Sequence, residues 1–147
     1  MESILQSVPQ LAPYQPTMAA LILLCIVILT QSFLAGALGL GKSDEVPGRP
    51  LKGDHKDASF RILRTYANST ENFSVLIATA FLAVLAGVDA FWVNLLVWLH
   101  VAIRILYWAI YYAGMGRVAA GPRTFTYVLG WLVNSVLAVL TAYVMLI

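Results

Sequence analysis

Arg61, Arg64, Asn68 and Glu71 follow one another at steps of three, four and three in a largely apolar stretch. On an α-helix that spacing gathers the four side chains on one stripe. Two guanidiniums can form charge-assisted hydrogen bonds to carboxylates. The amide donates and accepts, and the glutamate can hold a ligand amine or a second cation. Such groups are costly against lipid, so they must face a protein interior or a wet cavity. A polar stripe leading inward from the end of a membrane helix is what a polar ligand site requires.

Two further stripes share the pattern. His100, Arg104, Tyr107 and Tyr111 recur at steps of four, three and four, and Arg123, Thr124 and Tyr127 are followed by Trp131 and Asn134. Together they could line a pocket rich in cationic and hydroxyl donors. Plainer roles stay open for each. Arg61 and Arg64 also fit anchors that snorkel to headgroups, and Tyr111, Tyr112 and Tyr127 fit an aromatic belt. Asn68, Asn134 and Thr141 also fit polar contacts between helices. His100 fits a hydrogen-bonded core histidine as well as an acid or base. With His55 and His100 as the only histidines, no Cys, His and carboxylate cluster has metal-ligand spacing. No Ser-His-Asp arrangement, GxSxG or phosphate loop is present.

The elements that carry these stripes are membrane helices. The chain has 147 residues, 61% hydrophobic and 11% charged, with a mean hydropathy of +0.82. A soluble domain carries about 25% charged residues. Residues 17–41, 72–88, 90–99 and 124–147 hold no Asp, Glu, Lys, Arg or His, and a span needs about 20 apolar residues. The expectation is an all-α integral membrane protein, one four-helix transmembrane domain over 1–147 with helices near 15–40, 58–87, 90–114 and 122–146. The net charge of +2 and the lack of a basic, aromatic surface give no support to nucleic-acid binding. The single Cys25 excludes an internal disulfide. Residues 1–16 lack a basic leader segment and hold Pro9, Pro13 and Pro16, so no secretory signal is expected.

Basic residues set the expected orientation. Lys42, Arg49, Lys52, Lys56, Arg61 and Arg64 lie in or beside the first loop, and Arg117 and Arg123 flank the third. Loops one and three should be cytoplasmic, with both termini on the opposite side. Arg104 is the exception, about 15 Å deep on helix three at about 1.5 Å per residue. Glu71 lies about 20 Å deep on helix two by the same measure. The similar depth suggests a buried structural pair, Glu71 with Arg104, each sparing the other an isolated charge.

With the motif Arg64-x3-Asn68-x2-Glu71 on helix two of a four-span chain, the sequence resembles the MAPEG superfamily, the membrane-associated proteins of eicosanoid and glutathione metabolism, in a bacterial-type member. The resemblance covers most of the chain, including the polar first loop and the tight second turn. Within it Tyr111 is similar to a tyrosine that binds glutathione. Arg123 is similar to the arginine that stabilises the thiolate, with Thr124 where some members have serine, and Tyr127 following. The resemblance implies a homotrimer with glutathione as co-substrate between neighbouring subunits near the cytoplasmic side. It also implies a hydrophobic co-substrate arriving from the lipid bilayer. Arg61, Arg64, Asn68, Glu71, Tyr107 and Tyr111 would bind glutathione, and Arg123, Thr124 and Tyr127 would act on its thiol. A thiol of pKa about 8.5 is mostly protonated at neutral pH, and a nearby guanidinium lowers that value. The expected activity is a membrane-bound, glutathione-dependent transferase or peroxidase acting on hydrophobic electrophiles. The alternative is a non-catalytic subunit of the same fold that binds lipid or a partner. A small multidrug transporter fits less well, because helix one carries no charge.

Overall fold

A computed structural model describes residues 8–39, 53–116 and 120–147. A short 3-10 helix, Pro9–Tyr14, leads into α1 (Gln15–Gly39). Helices α2 (Ala58–Leu85), α3 (Ala90–Tyr112) and α4 (Pro122–Leu146) follow. The helices α2 and α3 stop two residues short of the ends expected from the sequence. All four are long and apolar enough to cross a membrane, and the chain is an integral multi-pass membrane protein.

Local chemistry sets the boundaries. Asp57 caps α2 by accepting from Ser59 N at 3.1 Å, and Asp89 caps α3 by accepting from Phe91 N at 2.9 Å. Gly87, at φ +73°, reverses the chain between them. Pro122 opens α4, where its missing N–H costs nothing.

The helices α2 and α3 form a central pair, each packed on both α1 and α4. Leu76, Ala80 and Ala83 of α2 meet Val93, Val97 and Val101 of α3, with Ala20 and Leu24 of α1 and Val133 and Leu137 of α4 completing the cluster. Small residues let α2 approach its neighbours closely. Phe33, Phe81, Trp98, Trp131 and Val139 point outward. An outward apolar surface of this kind suits lipid rather than water.

The start of the chain is tied to the far end of this pair. Tyr14 is buried and donates its hydroxyl to Val88 O at 2.6 Å. Asn94 Oδ1 accepts from Thr17 N and Oγ1 at 3.1 and 2.7 Å, while its Nδ2 donates to Pro13 O at 2.9 Å. The α2–α3 turn and the entry to α1 therefore share one end of the bundle. The turn before α2, the end of α3 and the start of α4 share the other, where the polar stripes begin. Lys42, Arg49, Lys52 and Arg117 lie outside the described residues.

Candidate functional site

At that second end a cavity of about 410 Å³ opens between α2, α3 and α4. Sites for small molecules commonly measure about 300–1,000 Å³. The α2 stripe supplies Arg64, Asn68 and Glu71 to its wall. Tyr107 and Tyr111 come from α3, and Arg123, Thr124 and Tyr127 from α4. Eight of the expected site residues thus meet around one space, and a ninth wall residue, His55, comes from the turn before α2.

Arg104 stands behind this wall rather than in it. It is 4% exposed, and its Nη2 donates to Asn68 Oδ1 at 2.8 Å and to Ser69 Oγ at 3.3 Å. Its guanidinium lies over the Tyr107 ring, 4.5 Å from the centroid. The guanidinium therefore fixes both Asn68 and Tyr107 in the wall. The expected direct pair with Glu71 is not formed. Glu71 is turned about 60° around α2 from Asn68 at about 3.6 residues per turn, lies exposed on the cavity side, and reaches Arg104 only as a charge through space. Similar depth alone does not make two residues face each other.

Arg123 is 5% exposed, with Nε donating to Met115 O at 3.1 Å and its Cζ 4.9 Å from the Tyr111 ring centroid. Among the described residues its Nη1 is buried with no hydrogen-bond partner. A buried guanidinium with an unused donor is expensive unless something anionic takes it. The Tyr107 and Tyr111 rings lie 5.2 Å apart between centroids with their planes tilted by 48°, so two adjoining aromatic rings link the two arginines. The cavity carries the guanidiniums of Arg64 and Arg123 against the one carboxylate of Glu71. Their field acts on His55: burial first, then the charges of Arg123 and Arg64, hold its pKa below 6.5, with Asp54 opposing.

Arg61 is not part of this cavity. Its Nη1 donates to the carbonyls of His55 and Lys56 at 3.0 and 2.8 Å, and its Nη2 to Tyr112 O at 3.4 Å. It ties the incoming turn to the end of α3 instead of facing a ligand. His100 is 1% exposed and bonds Gly130 O through Nδ1 at 3.1 Å, joining α3 to α4 inside the bundle. Sequence reasoning missed His55 and Ser69 as contributors. His55 lies in a polar loop with no periodicity to place it, and its partner Tyr111 is 56 residues away.

A second cavity, about 260 Å³, continues along α2 and α4 and shares Glu71 and Tyr127 with the first. Asn72 and Val75 face Trp131, Asn134, Ser135 and Ala138 across it. The two spaces form a polar chamber continued by a mixed groove along the exposed side of α2 and α4. Among the described residues no group of three His, Cys, Asp or Glu could hold a metal ion.

Neither a curated protein nor a solved structure matches the chain. The family model of the MAPEG family does, over residues 17–143, all but the ends of the sequence. With four apolar helices and the Arg64, Asn68 and Glu71 motif lining a cationic cavity, the chain belongs to the MAPEG family.

Proposed function

We propose that the protein is a membrane-bound transferase or peroxidase that activates the thiol of glutathione for attack on hydrophobic electrophiles. Family membership supports glutathione-related membrane chemistry in general. The observation that carries the finer reading is Arg123: a buried guanidinium at the cavity wall whose Nη1 has no hydrogen-bond partner among the described residues. Glutathione brings two carboxylates, an amine and a thiol. Arg64 takes a carboxylate, Glu71 takes the amine, and Asn68, held by Arg104, bonds the peptide backbone. Arg123 then stabilises the thiolate, with Thr124 and Tyr127 as nearby hydroxyl donors. Lowering a thiol pKa by two units corresponds to about 2.7 kcal/mol of thiolate stabilisation. The thiol proton leaves to water at the cavity mouth. The sulfur electron pair then forms the new C–S bond as the leaving group, such as halide, departs with its bonding pair, or attacks a peroxide oxygen as the O–O bond breaks and the departing alkoxide takes a proton from water. The groove along α2 and α4 gives an apolar molecule a route from the bilayer to that sulfur.

The exposed Glu71 on a membrane helix is itself a reason to expect company. A homotrimer would cover it and close the site between subunits. Lys56, Arg61, Arg64 and Arg123 all lie at the cavity end, so that end faces the cytoplasm and both termini face away.

The test is conjugation of reduced glutathione to an activated aryl halide by the purified protein in nanodiscs. Turnover that is lost in Arg123→Leu, with glutathione binding retained, is the expected result. Binding without turnover for any electrophile makes the protein a non-catalytic subunit of the same fold, and no binding at all removes the glutathione reading.

A further inference from the structure

The turn before α2 is held more firmly than a loop end needs to be. One guanidinium, that of Arg61, gathers carbonyls from His55, Lys56 and Tyr112. Gly114, at φ +67°, keeps the end of α3 clear of it; a Cβ there would stand 3.3 Å from Arg61 Cζ. The His55 ring meets Phe60 edge-on, centroids 4.9 Å apart and planes at 88°. Phe60 is 9% exposed, and Gly53 lies so close over its ring that a Cβ would fall 2.6 Å from it. Fixed by these contacts, His55 sets Nδ1 2.9 Å from the Tyr111 hydroxyl at the cavity wall.

We propose that His55 is a positioning residue of the ligand site, its Nδ1 accepting the Tyr111 hydroxyl hydrogen so that Tyr111 turns its oxygen lone pairs toward the ligand. The proposal rests on the glutathione reading above for the ligand's identity. A phenol held this way accepts. It takes an amide or ammonium N–H of glutathione and leaves the thiolate to Arg123. A phenol with a free proton would instead compete for the thiolate or a carboxylate.

The charges around the ring favour this polarity. Arg123 faces it from α4, Arg64 and Arg61 from α2, Asp54 from its own turn, and Tyr111 from α3. Burial first, then three cations against one carboxylate, hold the His55 pKa below the ordinary 6.5 and favour the neutral imidazole near pH 7. A neutral ring has one N–H, and the common Nε2–H tautomer leaves Nδ1 as the acceptor. When the ring gains a proton on Nδ1, at a pH lower than for an ordinary imidazole, the bond reverses and Tyr111 becomes a donor. Glutathione affinity should therefore fall on the acid side.

The experiment has two readouts on the full chain in nanodiscs. The first is nitrogen NMR of histidine-labelled protein without ligand; His55→Asn assigns the signals, since His100 is the only other histidine. An unprotonated Nδ1 at pH 7.5 that shifts in Tyr111→Phe is expected, and a protonated or unresponsive Nδ1 overturns the proposal. The second is calorimetric titration with reduced glutathione from pH 5 to 8. His55→Ala should weaken binding about tenfold at pH 7.5, the worth of about 1.4 kcal/mol. His55→Asn, whose Oδ1 stands near the place of Nδ1, should restore affinity and remove the acid-side loss. Equal affinity in wild type and His55→Ala overturns the proposal. A wild type that shows the NMR signature but binds no glutathione removes the glutathione reading and leaves the His55–Tyr111 pair standing.

Discussion

Replacing Asn68 with leucine should strand a buried charge. Arg104 has Asn68 Oδ1 at 2.8 Å and Ser69 Oγ at 3.3 Å as hydrogen-bond acceptors, and the Tyr107 ring at 4.5 Å. No carboxylate forms an ion pair with it among the described residues. A hydrogen bond to a charged group contributes about 1.5–3 kcal/mol. The 2.8 Å contact is the better of the two, and leucine nearly matches asparagine in shape, so Asn68→Leu should cost about that amount. Arg104→Met removes the charge and leaves two neutral acceptors without a donor, at about 1–3 kcal/mol. The double variant leaves no stranded guanidinium, so its loss should fall short of the sum by about 1.5–3 kcal/mol, the worth of the bond itself. In the single chain dispersed by SDS, Glu71→Gln removes only an exposed charge acting through space and should stay within about 0.5 kcal/mol. SDS-driven unfolding in mixed micelles, followed by fluorescence of the four tryptophans, measures all four variants. A coupling near zero would refute the Asn68–Arg104 bond. A loss in Glu71→Gln as large as in Asn68→Leu would make Glu71 the partner after all.

Arg64→Ala should abolish the rise in melting temperature that glutathione gives the wild type, which at about 100 times Kd corresponds to about 2.7 kcal/mol; an equal rise in both removes Arg64 from the site. The depressed pKa of His55 means the unfolded chain binds more protons there, so this contribution to stability is present above pH 6.5 and is lost as pH falls below it. Melting temperatures at pH 7.5 and 5.5 should accordingly differ less in His55→Asn than in wild type, and an unchanged difference counts against the shift. Native mass spectrometry in mild detergent should give a trimer; monomer or dimer alone contradicts the shared site.

The fold was legible because its signal is redundant. The uncharged runs 17–41 and 124–147 are each long enough to span a bilayer, and 72–88 and 90–99 extend into stretches with few charges, which together point to four helices whatever the packing. The wall of the candidate cavity was legible where it lies on helices, since spacing gives the face: Arg64 with Asn68, Tyr107 with Tyr111. Rotation between helices is not in the spacing. That is why Glu71 and Arg104, matched in depth, do not pair, and why Ser69, next to Asn68 in sequence, turned out to share Arg104. Loop geometry was invisible for a different reason. His55 reaches Tyr111 only because Arg61 folds back on the turn, and Arg61 reads from sequence like any other member of its stripe. The docking of Tyr14 on Val88 and of Thr17 on Asn94 is equally non-local and left no periodic trace.

The most direct measurement is the ultraviolet difference spectrum as reduced glutathione is titrated onto the purified protein at pH 6.5 to 7.5, where a free thiol of pKa about 8.5 is mainly protonated. Arg123, with a donor at the cavity wall that has no partner among the described residues, should hold the sulfur as thiolate. The expected result is a thiolate band that saturates with glutathione binding in the wild type and is absent in Arg123→Leu, although that variant still binds. Glutathione that binds with no thiolate band in the wild type, or with the same band in Arg123→Leu, contradicts thiol activation by Arg123.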